Sequence, residues 1–139
     1  MTILYIIIAI VCWGITPILE KIALRNLSPA EGVLLRSLMV VIFASVMIAV
    51  TRQYGGLRVF NWKAIAIVMA GGLISAAFGQ LAYFHALKAG RASIVVPMCA
   101  SYPLVTLLLS VGLLGESLTV WRVLGAALVV GGVALVKVG

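Results

Sequence analysis

The chain has 139 residues, of which 65% are hydrophobic and only 9% are charged. Lys and Arg number 10, and Asp and Glu number 3, so the formal net charge is +7. A soluble domain carries roughly 45–50% apolar and about 25% charged residues. This composition argues against a soluble enzyme, a disordered tail and a secreted disulfide scaffold. The cations stand singly between apolar runs, which is typical of membrane loops and argues against nucleic-acid binding.

Five apolar runs are long enough to cross a membrane. Crossing about 30 Å of hydrocarbon takes about 20 helical residues. The sequence therefore predicts an all-α membrane protein, with five transmembrane helices in a single domain over residues 1–139. The first run has neither a cation before it nor a small-residue cleavage site after it, so we expect a retained helix and not a signal peptide. The predicted spans are 2–20, 29–51, 63–87, 92–115 and 118–137.

Helix-capping and helix-breaking residues support these boundaries. Ser28, Pro29 and Glu31 suit the N-cap, the first and the third position of the second helix. Gly55–Gly56 marks the one longer loop, before the third span, and Gly90 separates the third span from the fourth. We therefore expect short connections elsewhere.

The loop cations are divided almost evenly between the two sides of the membrane. Four lie on the side of the N-terminus: Arg52, Arg58, Lys63 and Arg122. Five lie on the other side: Lys21, Arg25, Lys88, Arg91 and Lys137. Lys/Arg asymmetry normally sets orientation, so this division favours dual topology, in which two copies pair as an antiparallel homodimer. The alternative is a single orientation.

Short motifs recur along the chain in a characteristic order. They are Trp13-Gly14 with Lys21, Ser28-Pro29 with Leu35-Arg36, Tyr83–Leu87, Ser101–Pro103 with Gly115-Glu116, and Leu124–Ala126 with Gly131–Val133. Together they resemble the EamA-type family of the drug/metabolite transporter superfamily, from one end of the chain to the other. Typical members carry two inverted five-helix units, and this chain carries one half of that fold. The resemblance therefore implies a second copy or a partner chain.

The function that the resemblance implies is secondary transport. We expect an exporter of small organic metabolites that works by alternating access as an antiparallel homodimer, without a cofactor, in a prokaryotic plasma (inner) membrane. Two alternatives stay open: a flippase for a lipid-linked sugar, and a non-transporting membrane subunit that needs a partner chain. An enzyme is not expected, because no paired carboxylates, His clusters or nucleophile–base sets lie in any span or loop.

The related small multidrug resistance family uses a carboxylate in the middle of its first helix for proton exchange. The corresponding region of this chain is Cys12–Gly14, which contains no acid. The resemblance therefore does not extend to proton antiport through a midplane carboxylate. Uniport, or coupling through Glu20 or His85, remains open.

Polar, aromatic and proline residues within the spans are the candidates for a substrate cavity. Pro17 removes a backbone donor, and an interrupted helix near the midplane is typical of a transport site. Gln80 and Tyr83 are three residues apart and share a helix face. The alternatives are a packing kink and interhelical hydrogen bonds, which are worth about 0.6 kcal/mol each. The candidate cavity residues are Trp13, Thr16, Pro17, Ser75, Gln80, Tyr83, Pro97, Ser101 and Tyr102.

Four ionisable residues are candidates for gating or coupling. Arg36 lies roughly 10 Å along the second helix, where an unpaired charge costs roughly 3 kcal/mol. In the structural interpretation its guanidinium reaches the membrane interface or pairs with Glu20 or Glu31, and in the functional interpretation it is an anion site or a gate. Glu20 and Lys21 can form an ion pair at the membrane interface. The fourth candidate is His85, the only histidine in the sequence.

Small residues on the fifth helix allow close backbone approach between helices. We assign them to subunit pairing. The candidates for the dimer interface are Gly125, Ala127, Gly131 and Gly132. Cys12 and Cys99 lie in apolar runs without CxxC spacing, so we interpret them as packing residues and predict no metal site.

Overall fold

The computed structural model of the chain describes residues 2–52 and 61–139. Regular structure within these two ranges is helical throughout and includes no strand. Five helices are long and apolar enough to cross a membrane: Thr2–Ala23, Pro29–Thr51, Trp62–Ala89, Ala92–Leu114 and Val120–Val138. The predicted all-α membrane fold is confirmed. Gly55–Gly56 and Arg58 lie outside the described residues.

The first helix, α1 (Thr2–Ala23), continues through Pro17. The sequence predicted an interruption there, and this prediction is wrong. Pro17 is buried, and the residue before it, Thr16, donates a hydrogen bond from its hydroxyl to the carbonyl of Cys12 at 2.7 Å. Pro17 removes only one backbone N–H donor from the helix. The hydrogen bonds on either side of it therefore keep α1 continuous.

The second helix, α2 (Pro29–Thr51), begins with the predicted capping box. The Ser28 hydroxyl accepts from the Glu31 backbone N–H at 3.3 Å, and the Glu31 carboxylate accepts from the Ser28 N–H at 2.7 Å. Pro29 follows the cap, where its missing N–H costs nothing. The prediction for this helix start is confirmed, and Glu31 is thereby engaged in local hydrogen bonds.

The third helix, α3 (Trp62–Ala89), contains a wider turn in its middle. It is α-helical over Trp62–Gly72, π-helical over Leu73–Gly79 and α-helical again over Gln80–Ala89. The Asn61 side chain caps its start by accepting from the Ala64 N–H at 3.2 Å. The π-helical segment was not predicted from the sequence.

The fourth span is divided into α4 (Ala92–Cys99) and α5 (Tyr102–Leu114). Pro103 is the second residue of α5, so its ring disfavours a continuous helix through the residues before it. The fourth span therefore breaks just before Pro103. Pro97 lies inside α4 without a break.

The chain divides into two compact units, Met1–Lys88 and Ala89–Gly139. Within the first, the most completely buried apolar side chains are Leu24, Phe84 and Leu87, which are 2%, 2% and 0% exposed. They join the turn after α1 to the end of α3. These three side chains form the small buried core of this unit.

Within the second unit, α4 packs against the last helix, α6 (Val120–Val138). The turn before α6 starts at Gly115, whose φ of 67° requires the left-handed conformation that glycine adopts readily. Arg122 then donates to the carbonyl of Ser117 at 2.9 Å and lies 3.5 Å from the Glu116 carboxylate. These contacts hold the turn between the fourth and fifth spans.

Gly32 on α2 lies against the ring of Phe84 on α3. A Cβ at this position would lie 2.8 Å from Phe84 Cε2. Gly32→Ala is therefore expected to lower the free energy of unfolding by about 1–3 kcal/mol, measured by detergent-induced unfolding followed by circular dichroism. The control is Gly14→Ala on α1, where a Cβ meets nothing within 4 Å. Because both changes raise helix propensity equally, an equal effect of the two would contradict the predicted clash.

Candidate functional site

A groove of about 530 Å³ lies between α1 and α2 in the first unit. Its wall consists mainly of leucine, alanine and methionine side chains, and Phe84 of α3 contributes its ring. Polar groups enter the wall at three residues, Thr16, Glu20 and Arg36. All three are among the residues that the sequence singled out for a cavity or a gate. The groove therefore joins an apolar surface to one charged pair.

The charged pair in this groove is formed by Glu20 and Arg36. Glu20 Oε1 lies 3.6 Å from Arg36 Nε, and the two side chains are 13% and 47% exposed. Glu20 Oε1 is buried and accepts no hydrogen bond among the described residues. Of the two partners the sequence allowed for Arg36, the structure selects Glu20, because Glu31 is held in the cap of α2. The pair reduces the cost of placing either charge in a membrane span.

Two lysines connect the end of α3 to the end of α1 and to the turn that follows it. Lys21 Nζ donates to the carbonyl of Leu87 at 2.5 Å and to that of Lys88 at 3.1 Å. In return, Lys88 Nζ donates to the carbonyl of Leu27 at 2.6 Å. Positive charge at a helix C-terminus is stabilising. Lys21, which the sequence left as an interface or gating residue, thus binds backbone carbonyls.

The remaining cavity candidates of the first unit lie outside the wall of this groove. Trp13 is exposed, and the exposed Ser75 donates its hydroxyl hydrogen bond to the carbonyl of Gly71 at 2.8 Å. Gln80 and Tyr83 are half-buried, and His85 is exposed. A cavity role for Trp13, Ser75, Gln80 and Tyr83, and a coupling role for His85, stay predictions.

A second groove, of about 460 Å³, lies beside the π-helical segment. It runs between α2 and α3, and its wall includes Val33, Ser37 and Ala76. π-helical turns occur frequently at functional sites. The sequence signal for this feature was the clustering of glycine and alanine over residues 70–79, where small side chains leave room at the helix surface.

In the second unit, the candidates lie at the break of the fourth span and along α6. Pro97 and Ser101 are half-buried, and the Ser101 hydroxyl donates to the carbonyl of Met98 at 2.5 Å. Tyr102 is exposed. The α6 candidates are exposed, and a Cβ on any of the three glycines meets nothing within 4 Å. These candidates are Gly125, Ala127, Gly131 and Gly132.

Comparison with known proteins identifies the family. An uncharacterized transporter of Archaeoglobus fulgidus is 26% identical over 121 residues, which are 87% of this chain and 42% of that protein. An uncharacterized protein of Methanocaldococcus jannaschii is 38% identical over 60 residues, 43% of this chain and 44% of that protein. The chain thus spans less than half the length of the curated relatives it matches. No solved structure matches it.

The sequence profile of the EamA-like transporter family covers residues 1–138. This range includes all five helices that are long and apolar enough to cross a membrane. The chain is therefore a multi-pass membrane protein that belongs to the EamA-like transporter family.

Proposed function

We propose that the chain is a secondary transporter of small amphipathic organic solutes, an exporter that works by alternating access as an antiparallel homodimer. The observation that carries the proposal is the groove between α1 and α2, which joins an apolar wall to the Glu20–Arg36 pair within membrane-spanning helices. Ligand sites are typically apolar clefts with a few polar groups that orient the ligand. Family membership supports transport as the activity.

Three observations support pairing of two inverted copies. The matched segment is less than half of the A. fulgidus transporter, so that relative has room for a second unit. The M. jannaschii relative is of similar length to this chain, because the 60 aligned residues are nearly the same share of both. The exposed small residues of α6, Gly125 to Gly132, offer a surface for close helix approach.

The proposed setting is a prokaryotic plasma membrane, and the partners are the bilayer, the transported solute and a second copy of the chain. The five-helix unit over residues 1–139 acts as one half of the transporter. The substrate site then lies at the midplane between inverted halves, as in other inverted-repeat transporters.

The test combines topology with flux. The C-terminus is fused separately to a reporter active only in the cytoplasm and to one active only outside it, and we expect comparable signals from both. The purified protein in liposomes is then expected to release small amphipathic solutes. We expect lower flux in three single variants, Trp13→Ala, Gln80→Ala and Tyr83→Ala. Crosslinking should show that each variant still forms the dimer.

The matched comparison uses bulky substitutions on α6. Gly125→Leu and Gly132→Leu are expected to lower dimer formation first and flux as a consequence. Activity of one reporter alone would refute the antiparallel homodimer. Flux that persists unchanged in all three alanine variants would refute their place in the substrate path, and no flux of any solute by intact dimers would refute transport.

A further inference from the structure

We propose that the groove between α1 and α2 binds an amphipathic monoanion, with Arg36 holding its carboxylate head and the apolar wall holding its body. The inference rests on the proposed function, because it names the chemical class of solute that this groove takes. It also concerns binding alone, which is measured without transport.

The Arg36 guanidinium has N–H donors that its contact with Glu20 does not use. Its contact with Glu20 runs through Nε, at 3.6 Å, and the side chain is 47% exposed. A guanidinium carries five N–H donors in a planar fork. The two Nη groups, with four of these donors, have no protein acceptor among the described residues. Such a fork matches the two oxygens of a carboxylate.

The other polar groups of the wall are occupied or covered. The Thr16 hydroxyl donates to the carbonyl of Cys12 at 2.7 Å. Glu20 is only 13% exposed, and its Oε1 is buried. The polar group that a ligand meets in this groove is therefore cationic, which favours an anionic head.

The rest of the groove requires an apolar body. Leu19, Leu35 and Met39 are part of its wall, and its volume of about 530 Å³ is in the range of small-molecule sites. Arg36 lies seven residues after Pro29, roughly 10 Å along the helix at about 1.5 Å per residue. A small inorganic anion would lose its hydration at this depth without gaining apolar contacts, whereas an amphipathic anion gains both kinds of contact.

Replacing Glu20 is expected to change the affinity for an anion in a direction that distinguishes this proposal from a purely structural role of the pair. Its carboxylate stands beside the same guanidinium that the ligand needs. Removing its charge without changing its shape should therefore strengthen binding of an anion, although it weakens an internal ion pair. A purely structural role of the pair predicts no gain from this change.

The experiment measures binding of radiolabelled 4-phenylbutyrate to the full chain in nanodiscs of phosphatidylcholine. The same-shaped cation 4-phenylbutylammonium is the ligand control. Glu20→Gln is expected to tighten binding of the anion, and Arg36→Gln to weaken it by about tenfold or more. Arg25→Gln is the matched control, because this exposed arginine lies in the turn after α1 and outside the groove, and it should leave binding unchanged.

A second variant covers the case in which Arg36→Gln does not fold. Arg36→Lys keeps a charge for Glu20 but loses the planar fork, so it should also weaken binding. No saturable binding of 4-phenylbutyrate would overturn the proposal, as would equal binding of the ammonium analogue. Weaker binding in Glu20→Gln would overturn it as well.

Two further measurements distinguish binding of a free solute from binding of a lipid headgroup, and failure of this site from failure of the transport function. Phosphatidylglycerol in the nanodiscs should not abolish binding. If it does, the groove is occupied by a lipid headgroup, and the proposal of a free solute is wrong. Saturable binding without flux would refute the transport function and leave this site standing. Flux that is insensitive to Arg36→Lys would refute this site and leave transport standing.

Discussion

Phe84→Ala is expected to lower the free energy of unfolding by about 3–5 kcal/mol, among the largest effects of any single change in the first unit. Phe84 is 2% exposed, and its ring fills the space above Gly32. The ring centroid also lies 5.9 Å from that of Tyr83. Removing the ring takes away the dispersion contacts that it makes with the side chains packed around it.

The measurement is detergent-induced unfolding, followed by far-ultraviolet circular dichroism in mixed micelles. The control is Phe78→Ala on the same helix, because Phe78 is 66% exposed. A surface change of this kind is expected to stay within about 0.5 kcal/mol. Similar losses for the two variants would contradict a specific contribution of the core around Phe84, since both changes alter helix propensity equally.

Lys21→Met is expected to lower the free energy of unfolding by about 2 kcal/mol or more, since hydrogen bonds to charged groups contribute about 1.5–3 kcal/mol. Lys21 Nζ donates to the carbonyls of Leu87 and Lys88, the last part of α3. These carbonyls lack intrahelical donors at a helix end. Methionine preserves the apolar stem but leaves them without the ammonium.

The same unfolding assay tests this change against Lys63→Met. Lys63 is exposed in the first turn of α3, where a positive charge faces the positive end of the helix dipole. Its replacement is expected to be neutral or slightly stabilising. If the two lysine variants lose stability to the same extent, the contacts of Lys21 contribute nothing specific.

The spans could be predicted from the sequence because the bilayer imposes a length. Each helix must keep about 20 apolar residues in hydrocarbon, and the predicted ends differ from the observed ones by at most three residues. The start of α2 was equally accessible, because Ser28, Pro29 and Glu31 form a cap from contacts within four residues. Both features depend on local sequence alone.

Pro17 and Pro103 show the limit of local reasoning. Each removes one backbone donor, yet α1 continues through Pro17 and the fourth span breaks just before Pro103. Proline chemistry is the same at both positions, so surrounding packing and neighbouring hydrogen bonds decided the outcome. The π-helical turn at Leu73–Gly79 was missed for the same reason, since no single residue type requires it.

The five apolar helices, the cap of α2 and the family could be inferred from the sequence, because long apolar runs and capping residues are properties of neighbouring positions in the chain. Tertiary structure alone decided the partners of the charges. Arg36 had two possible acids, and the packing of α1 on α2 brought Glu20 to 3.6 Å while Glu31 stayed in its cap. Lys21 donates a hydrogen bond to the carbonyl of Leu87, which lies 66 residues away along the chain. Such pairings depend on how helices meet in space, which no short stretch of sequence specifies.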